Sequence, residues 1–393
     1  MSKFQTRLIL AILFLLPAYL IKIKFGWVSF NALELLIAII FSLWFFGKEK
    51  KYLILYAKYF IPILIIFTGL ILSVIANKNL YAGLGAIKGW FVFPIIFAII
   101  FFDAIKKDEI LLKKSLLALF FSGVAISTAG VVYKFLGILT YDNRLNAFWD
   151  SPNQLAMFLA IPFLIGLFFT QQEREVKKKR LYVSGVVLIG LGLLYTFSYG
   201  AWLAIAVAVF LIFWLEYSKK EQKKYLAISI LIFAIFISLA SVYKYKSIAN
   251  LGERSSLASR LMIWKSAGIM IENNSLFGIG PGNFQEKYLE YQKYFPPYLE
   301  WSAPQPHNIF FAFWLESGFV GLVGFFILLF YFLRDNKKAF RWTSDRDLGI
   351  LFLGIMVYVL IHGLVDTTYW RNDLALVFWV VVAANFFLAG KNS

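Results

Sequence analysis

The sequence contains no cysteine, so disulfides, a thiolate nucleophile and any cysteine metal site are excluded. Histidine is nearly absent, with only His307 and His362. The long apolar runs have almost no charge in their interiors, Lys88 and Lys134 being the main exceptions, and the two halves show no internal repeat. Both absences count against a polytopic transporter or flippase, whose intramembrane charges would mark a substrate path. Residues 1–24 lack a small-residue cleavage site, so they are expected to form a first helix rather than a removed signal.

What is present is apolar surface far beyond what a soluble core could bury. Of 393 residues 61% are hydrophobic and 19% aromatic, and the mean hydropathy is +0.73. Apolar runs recur at about the 20-residue length that crosses a bilayer as helix, not as the short alternating strands of a barrel. The expected fold is all-α and polytopic, a single membrane domain over 1–393 with about twelve transmembrane helices. The expected spans are 7–22, 30–46, 53–75, 86–102, 111–139, 153–170, 181–197, 200–217, 225–243, 306–333, 348–364 and 372–390. One extracytoplasmic helical loop, 244–305, separates helices nine and ten and carries part of the site.

Lysine and arginine set the orientation, because they accumulate in cytoplasmic loops. Lys48, Lys50 and Lys51, then Lys106, Lys107, Lys113 and Lys114, then Arg174 and Lys177 through Arg180 mark one side. Lys219, Lys220, Lys223 and Lys224, then Arg334, Lys337, Lys338, Arg341 and Arg346 join them. The intervening loops hold few basic residues, so both termini are expected in the cytoplasm and 244–305 outside the cytoplasmic membrane. The net charge of +17 is divided among short loops rather than gathered into one patch, so it implies no nucleic-acid partner.

Polar residues cluster at the outer ends of the spans. The loop Tyr141 to Gln154 ends at a helix start with Ser151 as cap and Pro152 at the first position, which puts Asn153 at the helix mouth. An ordinary helix entry with aromatic belt residues accounts for the same pattern. The turn Thr196 to Trp202 is so short that its two helices must fold directly back, bringing Ser198 and Tyr199 to the interface; a plain tight turn explains this equally. In the long loop Leu257, Leu261, Trp264 and Ile271 suggest an amphipathic helix ending near Asn273, with Arg254 and Arg260 in or just before it. Gly278, Gly280 and Gly282 then make a compact turn; no strand precedes them and Pro281 interrupts them, which argues against a nucleotide loop.

His307 stands where the loop re-enters the bilayer, a position open to a helix cap, an interface residue or a catalytic base. His362 precedes Asp366 by one turn, and this pair reads as an acid-base relay or as a structural hydrogen bond between helices. Lys88 reads as snorkelling to the interface or as a phosphate contact. Asp345-Arg346-Asp347 has the two-aspartate spacing of metal-dependent glycosyltransferases, but its cytoplasmic loop makes it a solvated helix flank.

Taken in order, these pieces resemble the O-antigen ligase and polymerase superfamily. The matching pieces are Arg144 with Ser151-Pro152-Asn153, the Ser198–Trp202 turn, Ser259 to Trp264 leading to Phe277–Phe284, Pro306-His307-Asn308 with Glu316-Ser317-Gly318, and His362 to Asp366 with Asn372-Asp373-Leu374. The resemblance implies transfer of a glycan from undecaprenyl diphosphate to an acceptor hydroxyl at the outer membrane face, with no metal and no cofactor. Its partners would be the lipid-linked donor, a glycan or glycolipid acceptor and the bilayer. It makes His307 the base and Arg260 a diphosphate contact, and it implies substrate contacts among Arg144, Arg254, Asn153, Ser198, Tyr199, Asn308, Glu316 and Asp366. A histidine suits removal of a sugar hydroxyl's proton, and arginine suits a leaving diphosphate. The chain departs from the family at Tyr199, where arginine is common; Arg144 or Arg254 would then supply the second cation. Ligase and polymerase remain alternatives within the family.

Overall fold

The computed structural model describes residues 2–26, 28–47, 54–216, 256–296, 302–342 and 346–391. The expected ninth span at 225–243, Arg254, and the lysines at 48–51 and 219–224 lie outside the described residues.

Helix α1 (Lys3–Phe14) opens on a capping box formed by Ser2 and Gln5. The chain between it and the next helix is not loop, as expected, but a short antiparallel hairpin, β1 (Lys22–Phe25) against β2 (Val28–Asn31), so the fold is nearly rather than wholly all-α. Asn31 and Glu34 form a second capping box that starts α2 (Ala32–Phe45). Next come α3 (Ile54–Ala76) and α4 (Leu80–Ile87), the latter running through a π turn at Lys88–Val92 into α5 (Phe93–Lys107). Helices α6 (Ile110–Phe135), α7 (Pro152–Gln172), α8 (Val176–Tyr195) and α9 (Tyr199–Glu216) follow. Ser151 caps α7 with Pro152 in its first turn, and the Gln154 amide donates to the Ser151 hydroxyl at 3.3 Å, as the sequence pattern requires.

Beyond residue 255 lie α10 (Ser256–Asn273), α11 (Phe284–Tyr291), α12 (Ile309–Trp342), α13 (Arg346–His362) and α14 (Asn372–Gly390). Nearly every residue of α14 is buried, although its sequence is as lipid-like as its neighbours'. Among the described residues seven helical stretches are long and apolar enough to cross a membrane, in α3, the continuous α4–α5, α6, α7, α9, α12 and α14. Of the other expected spans, α1, α2 and α13 are shorter, and α8 opens on the basic run from Lys177 to Arg180. The twelve-span expectation therefore stands at seven clear candidates.

Two features position the site. The first is a bend in α12 at Gly318, whose φ of +67° and ψ of −178° belong almost only to glycine. The groups that the bend releases bond to the preceding loop: the Ile279 amide donates to the Leu315 carbonyl at 2.6 Å and the Phe319 amide to the Leu276 carbonyl at 3.1 Å. The second is a small separate core in which Met262, Ile263, Met270, Ile279, Phe284 and Tyr288 pack α10 and α11 onto Leu315. Leu257 and Leu261, expected on an apolar face lying against the membrane or the bundle, are exposed and so do not pack on the bundle. The buried face follows Ala258, Met262, Ile263, Ala267 and Met270.

Candidate active site

The starts of α7, α9, α12 and α14 and the ends of α6, α8 and α13 all lie at one end of the bundle, by chain direction alone. The basic runs around Lys106, Lys177 and Arg334 mark the other end of the same helices. At the first end the structure brings together His307, Asp366, Arg260 and Arg144.

His307 lies two residues before α12, with a backbone φ of +47° that is uncommon for a side chain of its bulk. Asn308 fixes the helix start next to it: its side-chain carbonyl accepts from the Phe310 and Phe311 amides at 2.9 and 3.1 Å, and its amide donates to the Leu364 carbonyl at 3.1 Å. The Ile309 amide donates to the Gly363 carbonyl at 2.7 Å, which ties the start of α12 to the turn after α13. Asn308, expected as a substrate contact, thus serves as cap and staple here.

Helix α13 ends at His362, and the chain turns through Gly363–Val365, with the Asp366 amide donating to the His362 carbonyl at 3.0 Å. The His362 ring pairs at Nδ1 with the Tyr358 hydroxyl, 2.8 Å away, while Asp366 turns to the other histidine. His307 Nδ1 lies 3.0 Å from Asp366 Oδ1, which also accepts from the Thr367 amide at 2.9 Å. Arg260 approaches from α10: its Nε donates to the Val365 carbonyl at 2.7 Å and its Nη2 lies 3.6 Å from Asp366 Oδ2. Burial by itself would push the Asp366 carboxyl up, but His307, by charge and hydrogen bond, and Arg260 hold it well below the usual carboxylate range.

Arg144 reaches the site from the α6–α7 loop. Its Nε donates to the Thr196 carbonyl at 2.7 Å, Nη2 donates to Asn153 Oδ1 at 2.9 Å, and Nη1 lies 3.6 Å from Asp142 Oδ2. Burial pulls its pKa down, Asp142 opposes that, and Arg260 adds repulsion. Two cations within each other's field, at a partly open surface, make a place where an anion gains from both. Tyr199 also lies within the field of Arg144, with its ring 5.4 Å from that of Trp202. Ser198 is buried in the α8–α9 turn, its amide donating to the Thr196 hydroxyl at 3.3 Å. The turn is pressed onto the Asp366 loop, since a Cβ at Gly200 would lie 2.7 Å from Val365 and 3.3 Å from the His362 ring.

Glu316 is not part of this group. Buried in α12, it accepts from the Gly282 amide at 3.1 Å and so holds the glycine turn, whose carbonyls at Gly278 and Pro281 accept from Asn77 and Asn79 at 3.1 and 2.8 Å. Lys88 pairs with Glu34 at 2.6 Å and donates to the Ser29 carbonyl at 2.8 Å.

Three contacts escaped the sequence reading. Gln305 bonds the Thr367 hydroxyl and donates to the Trp370 carbonyl at 2.7 Å, locking the His307 loop to the Asp366 loop. Trp264 donates its indole N–H to the His307 carbonyl at 3.2 Å. Arg371 forks onto Asp373 at 2.6 and 2.8 Å beneath the Tyr19 and Trp149 rings. The placement of Gln305 between two prolines was the one local signal available for any of them.

Residues 184–326 match the family model described as O-antigen ligase, over a third of the chain's length. No curated protein matches the chain. The matched stretch holds Arg260 and His307, while Arg144 and Asp366 reach the same place from either side of it. The apolar helices describe a multi-pass membrane protein, and residues 184–326 of it are similar to the O-antigen ligase family.

Proposed function

We propose, from the O-antigen ligase domain that residues 184–326 carry, that this protein transfers a glycan from undecaprenyl diphosphate to an acceptor hydroxyl on the extracytoplasmic face of the cytoplasmic membrane. The observation that carries this reading is the His307–Asp366 pair at 3.0 Å, with Arg260 beside it and Arg144 within reach of Arg260's charge.

With Nδ1 turned to Asp366, His307 presents Nε2 to the site. A sugar hydroxyl bound there gives its proton to Nε2 as its oxygen attacks the anomeric carbon. Asp366 then faces an imidazolium, whose charge it stabilises, and it sets the tautomer beforehand. The bond that breaks joins the anomeric carbon to the diphosphate oxygen, and attack opposite that bond inverts the centre. The departing diphosphate gains charge, which Arg260 and Arg144 meet with their positive charge and their remaining N–H donors. The basic ends of the helices support placing this end of the bundle outside the cytoplasm.

The test is transfer in vitro from a radiolabelled undecaprenyl-diphosphate glycan by purified protein in EDTA, with donor and acceptor from the source organism's own envelope. Wild-type transfer, reduced about a hundredfold or more in folded His307→Ala and Arg260→Ala variants, is the expected result. Full activity of His307→Ala overturns the mechanism. Movement of intact lipid-linked glycan across a bilayer without bond transfer would make the protein a transporter, and the product size separates ligation from polymerisation.

A further inference from the structure

Arg260 and Trp264 stand one turn apart on α10 and so share a face. Arg260 holds the Val365 carbonyl at 2.7 Å and faces Asp366, while the Trp264 indole donates to the His307 carbonyl at 3.2 Å. One helical turn therefore touches both members of the His307–Asp366 pair. The contact at His307 falls where the backbone is least self-supporting, because its φ of +47° is a conformation that an L side chain leaves readily. On the far side of the same peptide Asn308 is anchored by its capping bonds and by Leu364. A bond to the His307 carbonyl thus fixes the peptide plane between a strained residue and an immobile one, and with it the direction of the imidazole.

We propose that Trp264 is a positioning residue for His307: its N–H holds the left-handed backbone that lets Nδ1 reach Asp366, and its placement one turn from Arg260 registers the base with the diphosphate cation. This rests on the reading of His307 as the base. Trp264 touches no reacting atom, so its loss misaligns the base without weakening the donor's cationic contacts.

The test uses Trp264→Phe, which keeps an aromatic ring and removes the donor, in full-length protein in nanodiscs. With only two histidines in the chain, 15N-histidine NMR reports each imidazole separately. In Trp264→Phe the His307 Nδ1 signal is expected to move and the His362 signal to stay, the latter serving as the folding control. Alongside this, kcat should fall roughly three- to tenfold, the worth of one neutral hydrogen bond, with donor KM within about twofold. Adding His307→Ala should remove the effect, the double variant being no slower than His307→Ala alone within about twofold. An unmoved His307 signal overturns the proposal, as does an equal loss in the His307→Ala background, which would make Trp264 merely structural. Full activity of His307→Ala alone overturns the base reading instead, and the NMR signal then decides Trp264's hold on His307 without reference to turnover.

Discussion

The two oxygens of Asp366 have different surroundings. Oδ1 accepts from His307 and from the Thr367 amide, whereas Oδ2 is buried with no hydrogen bond among the described residues and faces Arg260 across 3.6 Å. The carboxylate is kept charged by its hydrogen bond to His307 on one side and by the Arg260 charge on the other, which holds its folded pKa below the unfolded value. A depressed carboxylate stabilises the fold at every pH above its unfolded pKa, and the contribution is lost as pH falls toward the folded one. Asp366→Asn should therefore lower the thermal midpoint more above about pH 4, near the ordinary aspartate pKa, than below it. Scanning fluorimetry of both proteins from about pH 3 to 6 checks this; a gap that grows as pH falls through that range contradicts it.

At Arg144 the geometry of the fork matters more than the charge. Three directions of its guanidinium are taken by Thr196, Asn153 and Asp142, which a lysine's single ammonium cannot reproduce. Arg144→Lys should raise the donor KM about tenfold, the worth of one hydrogen bond to a charged group, while kcat changes less. Initial rates against donor concentration test this, and an unchanged KM would remove Arg144 from the diphosphate site.

At the scale of elements, Gly318 decides whether the loop after α10 can dock on α12. A Cβ there would lie 2.3 Å from the Leu276 carbonyl oxygen, and the backbone sits in a region nearly closed to other residues. Gly318→Ala is expected to cost about 1–3 kcal/mol and to loosen the loop on which Arg260 depends. Protease sensitivity of residues 274–296 reads this directly, and unchanged digestion would show that α12 tolerates the substitution. The sequence could announce a turn at Gly278–Gly282 and a helix ending at Asn273, because glycine and asparagine are local signals. It could not announce the bend, since one glycine in an apolar run reads equally as helix interior. Nor could it choose the packing face of α10. Beside a bilayer, lipid and protein core reward the same side chains, so Leu257 and Leu261 point outward while Ala267 and Met270 pack.

The same physics separates what was legible in the whole molecule from what was not. Span lengths and cap residues are properties of short stretches, so Ser151 at the start of α7 and the tight α8–α9 turn were readable. The pairing of His307 with Asp366 rather than of His362 with Asp366 depends on where α13 stops and on how α12 is stapled to it, which no spacing rule contains. The orientation of the bundle rests on charge alone, and the absence of cysteine makes it directly testable. Single cysteines at exposed charged positions, Glu290→Cys on α11 and Lys178→Cys at the basic end of α8, remove no buried contact: their ion pairs, to Lys287 and Glu175, are on the surface. In spheroplasts a membrane-impermeant maleimide should label Glu290→Cys at once and Lys178→Cys only after permeabilisation. The opposite pattern would put His307, Arg260 and Asp366 in the cytoplasm. A donor carried on the outer leaflet could not reach them there, and the proposed reaction would fail however well these three residues are aligned.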